Sequence, residues 1–231
     1  MALLQCNNVS KTYGRVNALS NVNLSINSGR IVGLLGPNGS GKTTLIKLIM
    51  GLLTATTGEI RVKDHPVGIE SKKVISYLPD RTYLSDYKTV EQTLRFFSDF
   101  YSDFDYERAV KMLSDLHIDR SCKIKTLSKG NKEKVQLVLV MSRRADLYIL
   151  DEPIAGVDPA ARDFILNTIL SNFSESASLI ISTHLIADIE NILDDVIFLK
   201  EGEVNIISSV DELREKEGKS VDAIFREVFR C

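Results

Sequence analysis

The sequence has 231 residues, 44% of them apolar and 26% charged, which fits one domain, or one domain with an inserted lobe, around a substantial core. Its 29 Lys+Arg against 31 Asp+Glu leave a formal net charge of −2, without the basic excess of a nucleic-acid footprint, so no nucleic acid is expected as a partner. No apolar run approaches the roughly 20 residues of a membrane-crossing helix, and residues 1–10 lack the basic-then-apolar pattern of a secretion signal.

In chain order, the first strong pattern runs from Ala18 to Ile26, where apolar residues alternate as in a half-buried strand. Ile31 to Leu35 is continuously apolar apart from Gly33, the pattern of a strand buried on both faces in a helix-covered parallel sheet. It ends abruptly in Gly36-Pro37-Asn38-Gly39, and an apolar helical pattern (Leu45, Ile46, Leu48, Ile49) follows. Glu59 to Val62, after Thr57 and Gly58, reads as another short strand; with Ala18–Ile26 it suits an antiparallel sheet near the N-terminus. Residues 85–142 contain no comparable buried strand and read as mostly helical. Within them Phe97, Phe100, Tyr101 and Phe104 fall at i, i+3, i+4 and i+7, which predicts one aromatic helix face. That face is either core or a groove for a partner's helix.

Leu147 to Leu150 and Leu179 to Ile181 are two more buried-strand runs, ending in Asp151-Glu152 and Ser182-Thr183-His184. Ligands of open α/β sheets bind at the carboxyl ends of strands, so three polar strand ends are expected to converge on one site. Asp158 and Pro159 predict a helix start, as N-cap and first helical residue. Val221, Ile224, Phe225, Val228 and Phe229 form a final amphipathic stripe expected to dock on the body. Cys6, Cys122 and Cys231 have no paired spacing and read as reduced thiols of a cytoplasmic protein. His65 and His117 have no chemical context and read as surface residues.

Gly36-Pro37-Asn38-Gly39-Ser40-Gly41-Lys42-Thr43 fits G-x-x-x-x-G-K-[ST] in its required setting, after an apolar strand and opening a helix. The glycines allow backbone N–H groups to wrap a polyphosphate, and the helix N-terminus adds a favourable dipole. Lys42 is expected to reach the β- and γ-phosphates, and the Thr43 hydroxyl to hold Mg²⁺. Mg²⁺ prefers oxygen ligands, which makes Asp151 its expected carboxylate. Glu152 is placed to polarise the attacking water, and His184 to hydrogen-bond the γ-phosphate.

Leu127-Ser128-Lys129-Gly130-Asn131, shortly before the Asp151 strand, resembles the Leu-Ser-Gly-Gly-Gln signature of ABC transporter ATP-binding subunits. With the phosphate loop, Asp151-Glu152, Gly156-Val157-Asp158 and His184 in family order, the resemblance covers essentially the whole chain. It implies an α/β fold: a P-loop NTPase core with a parallel sheet, an N-terminal antiparallel β subdomain and an inserted helical subdomain. The expected division is residues 1–84 and 143–231 for the core with the β subdomain, and 85–142 for the helical insert.

The resemblance further implies an ATPase that uses ATP and Mg²⁺, with residues 36–44 (through Thr44) around the nucleotide and Tyr13 stacked on adenine. Ser128, Lys129, Gly130 and Asn131 would reach the ATP of a second, identical or paralogous protomer, so that two protomers enclose two ATP head to tail. Asp158 matches a residue communicating across that interface. The other implied partner is a separate transmembrane subunit, which would hold the chain on the inner face of the cell membrane.

Asp80 stands where the family usually carries a glutamine that touches Mg²⁺ and links the site to the helical lobe, and Lys129 and Asn131 replace signature residues. Asp80 and Lys129, opposite in charge, are expected to meet at one nucleotide across the dimer. Compact size, the Tyr77-Leu78-Pro79 segment and the C-terminal stripe look most like exporter subunits of the ABC-2 type, whereas importer subunits often carry a longer C-terminal region. A soluble ATPase acting on ribosomes or chromosomes is the rival reading; the paired ATPase domains or long coiled coil of such proteins are missing from this sequence. A regulatory ATP binder without activity is argued against by Lys42, Asp151, Glu152 and His184.

Overall fold

The computed structural model describes residues 2–174 and 176–229; Met1 and Cys231 lie outside them. In chain order the elements are β1 (Ala2–Tyr13), β2 (Val16–Asn27), β3 (Ile31–Leu35), α1 (Lys42–Ile49), β4 (Thr57–Val62), β5 (His65–Pro66), α2 (Ile69–Lys73) and β6 (Ile75–Leu78). Then come α3 (Val90–Phe100), α4 (Tyr106–Asp115), α5 (Lys129–Met141), β7 (Leu147–Asp151), α6 (Pro159–Ser171), β8 (Ser178–Thr183), β9 (Asp195–Lys200), β10 (Glu203–Ser209), α7 (Val210–Glu217) and α8 (Val221–Phe229).

The strands form two sheets, an antiparallel β2-β1-β4-β5 and a six-stranded β10-β9-β3-β8-β7-β6. All pairings in the larger sheet are parallel except the β9–β10 hairpin at its edge. Every residue of β7 and β8 is buried, as their unbroken apolar runs require. β1, by contrast, pairs with β2 through several register shifts, and Asn8 takes a positive φ of 52°. Those irregularities break the alternation of Leu3, Leu4, Cys6 and Val9, so the central strand of the smaller sheet carries no clean period in sequence.

The described residues form two apolar clusters. One lies between the two sheets around α1, with Leu4, Val22, Ile46, Ile49, Val62 and Ile180 among its members. The other covers the opposite face of the larger sheet and draws on α3, α4, α5, α6 and α8. The helices start where their caps dictate: Thr89 and Gln92 form a reciprocal capping box on α3, and Asp105 and Ser128 accept from the first turns of α4 and α5. The C-terminal stripe docks as expected, with Phe225 and Phe229 at 5.7 and 6.0 Å from the Phe198 ring of β9.

The aromatic face differs from expectation. α3 ends at Phe100, Tyr101 is its extended C-cap (φ −111°, ψ 112°), and Phe104 lies beyond it in a bridge to Arg143. The four residues therefore do not share one helix. They still meet, because the Phe97 ring lies 5.6 Å from Tyr101 and 5.9 Å from Phe104.

The chain breaks there because Arg143, just after α5, recruits the segment. Its guanidinium donates to both Asp103 oxygens at 3.0 and 2.9 Å, to the carbonyls of Ile75 and Lys73, and stacks 3.9 Å from the Tyr101 ring centre. This nearly buried cation ties the α3–α4 connection to the start of β6. Removing its carboxylate leaves a buried charge without its counter-ion, a loss of about 3–5 kcal/mol. Asp103→Ala should therefore lower stability by that order in denaturant titration, far more than Asp99→Ala on the exposed part of α3.

Candidate functional site

The order β3-β8-β7-β6 sets four parallel strands with their carboxyl ends side by side. Between β3 and α1 the chain makes a tight loop that two glycines permit. A Cβ on Gly36 would stand 2.4 Å from the Leu199 carbonyl oxygen, and Gly41, at φ 109°, would bring one to 2.8 Å from that of Ala18. Ser40 and Lys42 are buried by the same turn. The Lys42 ammonium donates to the carbonyls of Gly36 (2.7 Å) and Pro37 (3.2 Å) and lies 3.5 Å from Glu152. Burial holds its pKa below the usual lysine value, against the opposing pull of Glu152 and Asp151. Pro37 and Thr44 are half-buried and Asn38 and Gly39 exposed on the outer side of the loop.

Asp151 ends β7 directly opposite Ser182 of β8. The Ser182 hydroxyl donates to Asp151 Oδ1 at 2.5 Å, and that of Thr43 reaches the same oxygen at 3.4 Å. Asp151 Oδ2 is buried with no partner among the described residues. Burial pushes this carboxyl above the usual range, the two hydroxyls pull it down, and the charges of Asp80 and Glu152 push it up again.

Glu152 takes a left-handed backbone (φ 51°), strained for a residue with a side chain. Its N–H donates to the Ser182 carbonyl (3.0 Å) and hydroxyl (3.1 Å), which holds it there. The conformation aims the carboxylate at Lys42 and at His184 Nδ1, 3.2 and 3.1 Å from its two oxygens. Ser182 thus anchors both carboxylates. Sequence reasoning marked it only as a strand end; the signal for it is the pairing of β7 with β8, which no local pattern carries.

The carboxyl ends open on a cavity of about 680 Å³ lined in part by Asn38, Asp80, Lys129, Asp151, Glu152 and His184. Of the predicted constellation, the structure brings Lys42, Thr43, Asp151, Glu152 and His184 together. It does not bring Tyr13, which is 45% exposed at the end of β1 with Lys11 Nζ 5.1 Å from its ring centre. Ser128, Gly130 and Asn131 also stay apart from the phosphate-loop side chains: Ser128 caps α5 by accepting from the Asn131 N–H at 3.2 Å. Lys129 turns along its own chain's cavity, 3.8 Å from Glu133, rather than only outward. Asp158 precedes α6, its carbonyl accepting from Arg162 N–H at 3.0 Å. His65 and His117 are exposed, Cys6 is buried and Cys122 half-buried, and neither of these two thiols is in a disulfide. No described helix is long and apolar enough to cross a membrane.

Known proteins with this arrangement are numerous. The chain is 32% identical to the SkfA peptide export ATP-binding protein SkfE of Bacillus subtilis, over 88% of each sequence. It is 31% identical to the ABC-type transporter ATP-binding protein EcsA of the same organism, over 94% of this chain and 92% of EcsA. A solved ATP-binding subunit of an ABC transporter superposes with a TM-score of 0.89 at 29% identity, covering 98% of this chain and 99% of that one. The sequence profile of the ABC transporter family matches residues 19–155. The chain is an ATP-binding protein of the ABC transporter family.

Proposed function

We propose that this chain hydrolyses ATP as one half of a head-to-tail dimer and drives a separate transmembrane exporter. The observation that carries the reading is the contact of Glu152 with both Lys42 (3.5 Å) and His184 (3.1 Å) at the mouth of the phosphate loop. A carboxylate held between a phosphate-binding ammonium and an imidazole is positioned to orient a water and take its proton. Lys42 then exchanges its carbonyl and carboxylate partners for phosphate oxygens, and His184 faces the terminal phosphate. Residues 36–44 wrap the polyphosphate, and Tyr13 offers an exposed ring to the base.

The donor set fits Mg²⁺. Asp151 presents a buried oxygen with no partner among the described residues, and the Thr43 hydroxyl lies beside its other oxygen. When bound, the ion neutralises phosphate charge and organises the terminal phosphate for attack. The chain's own part is to hold the ligand oxygens in place through Ser182 and to keep the Glu152 base aimed.

Gly130 supports a second protomer. A Cβ there would meet nothing within 4 Å, so packing inside the chain does not call for a glycine, whereas close approach by an outside ligand does. On this reading Ser128, Lys129, Gly130 and Asn131 face the partner's nucleotide, and Asp158 lies at the shared interface. The helical segment 85–142 acts as a lobe against the core formed by 1–84 and 143–231. Next to Asp80 a second cavity of about 780 Å³ is lined by Leu52, Ile69, Tyr83, Phe97, Phe100 and Tyr101 among others. Leu52 (58%), Ile69 (77%) and Phe100 (68%) are exposed, a patch suited to a helix of the membrane subunit. That partner would keep the chain on the inner face of the membrane. The peptide-export name of SkfE supports the outward direction.

Lys42→Ala should abolish hydrolysis and weaken ATP binding severely, measured as phosphate release and equilibrium binding; turnover within about twofold of wild type would overturn the phosphate-loop assignment. Glu152→Gln should lower turnover by roughly 10²–10⁴-fold while ATP still binds, so the variant should accumulate as a nucleotide-held dimer in size-exclusion chromatography with Mg-ATP. Asp151→Asn removes a buried, under-partnered charge, so the nucleotide-free melting temperature should stay level or rise while the extra stabilisation from Mg-ATP disappears. Phe100→Asp should leave the melting temperature of the isolated chain within a few degrees and reduce co-purification with the membrane subunit, since aromatic anchors contribute about 2 kcal/mol or more to an interface.

A further inference from the structure

β6 and β7 pair in parallel from Ile75↔Leu147 to Leu78↔Leu150, so two residues past the last pair come Asp80 on one strand and Glu152 on the other. Asp80, Asp151 and Glu152 all line the 680 Å³ cavity. The Asp80 charge is felt by Asp151 and by the half-buried Tyr77, whose pKa values it helps to raise. Three carboxylates therefore crowd one strand-end edge.

Their compensation is unequal. Glu152 has Lys42 and His184. Asp151 Oδ1 has Ser182 and Thr43, while its Oδ2 is buried and without a partner among the described residues. Among the described residues Asp80 has only a 3.9 Å contact with Arg81, a side chain 92% exposed and so well screened by water. The other cations along the cavity are engaged elsewhere, Lys132 with Asp86 at 2.8 Å and Lys129 with Glu133 at 3.8 Å. Lys42 is thus the one buried cation close to Glu152 and Asp151 among the described residues, and Asp80 has no buried counter-ion among them. A polyphosphate entering alone adds negative charge to this surplus, whereas one carrying a divalent cation brings the charge that the surplus lacks.

We propose that Asp80 is a specificity-determining residue that makes this site select the divalent-metal complex of the nucleotide over the free polyphosphate. The proposal rests on the reading that nucleotide and Mg²⁺ meet at Lys42, Thr43 and Asp151. Asp80 supplies the oxygen face opposite Asp151, repels the bare terminal phosphate and is offset once the cation is present. Its position on an exposed strand end, 42% accessible, lets the side chain turn towards the cavity without disturbing the core.

The test is binding rather than turnover, on the full chain with a non-hydrolysable ATP analogue, titrated once with Mg²⁺ and once with EDTA. Wild type should hold the magnesium complex much more tightly than the free analogue. Asp80→Asn should reduce that preference by about tenfold, chiefly by tightening the metal-free form, and Asp80→Glu should retain it. Electron paramagnetic resonance of Mn²⁺ with the analogue should report weaker ion retention in Asp80→Asn alone. A preference in Asp80→Asn within about twofold of wild type overturns the assignment of Asp80 and leaves the nucleotide site standing. Wild-type protein that binds neither form overturns the nucleotide site itself and the proposal with it.

Discussion

The register of β7 against β8, with Asp151 opposite Ser182, is the constraint on which the site depends. Through that one pairing the Ser182 hydroxyl orders Asp151, and the Ser182 backbone and side chain together pin the left-handed Glu152. Side chains alternate across a sheet, so a shift of one residue would turn Asp151 to the other face and release the strained peptide that aims Glu152. Burial on both faces of β7 and β8 opposes such a shift, because the close-packed side chains of both faces would have to be rearranged. The rigidity of the site is a property of the central sheet.

Electrostatically the site is under tension. A buried ammonium is satisfied by loop carbonyls and one carboxylate, and a buried carboxylate keeps one oxygen without a partner among the described residues. Each arrangement costs stability in the ligand-free chain, and each is the complement of a ligand group: phosphate oxygens for Lys42, a hard cation for Asp151. Unmet buried polarity beside the left-handed backbone of Glu152 is the kind of local cost that marks a functional site.

Arg143 gives the helical segment its attachment. It gathers Asp103, Tyr101 and two carbonyls before β6, and so connects the α3–α4 region to the strand that leads to Asp80. Pro79 and Asp80 line both the strand-end cavity and the aromatic one. A displacement of this short segment is therefore felt on both sides of it, at the carboxylates and at the aromatic surface.

Sequence alone determined what is contiguous. The phosphate loop, the Asp151-Glu152 pair, the buried strands β3, β7 and β8, the start of α6 at Pro159 and the C-terminal docking stripe are local patterns of residue type and spacing, and all were legible. β1 was hidden because its register shifts erase the period-two signal on which a strand reading relies. The aromatic stripe looked like one helix because its spacing is helical; α3 stops at Phe100 because Arg143, 43 positions away from it in the chain, holds the following residues in another conformation. Only tertiary structure decided that Ser182 anchors both carboxylates and that Lys129 lies along its own chain's cavity. The physical reason is the same in each case: backbone propensity and apolar period act between near neighbours, whereas strand register and the meeting of buried charges depend on pairs remote in sequence, whose energies exist only once the sheet has formed.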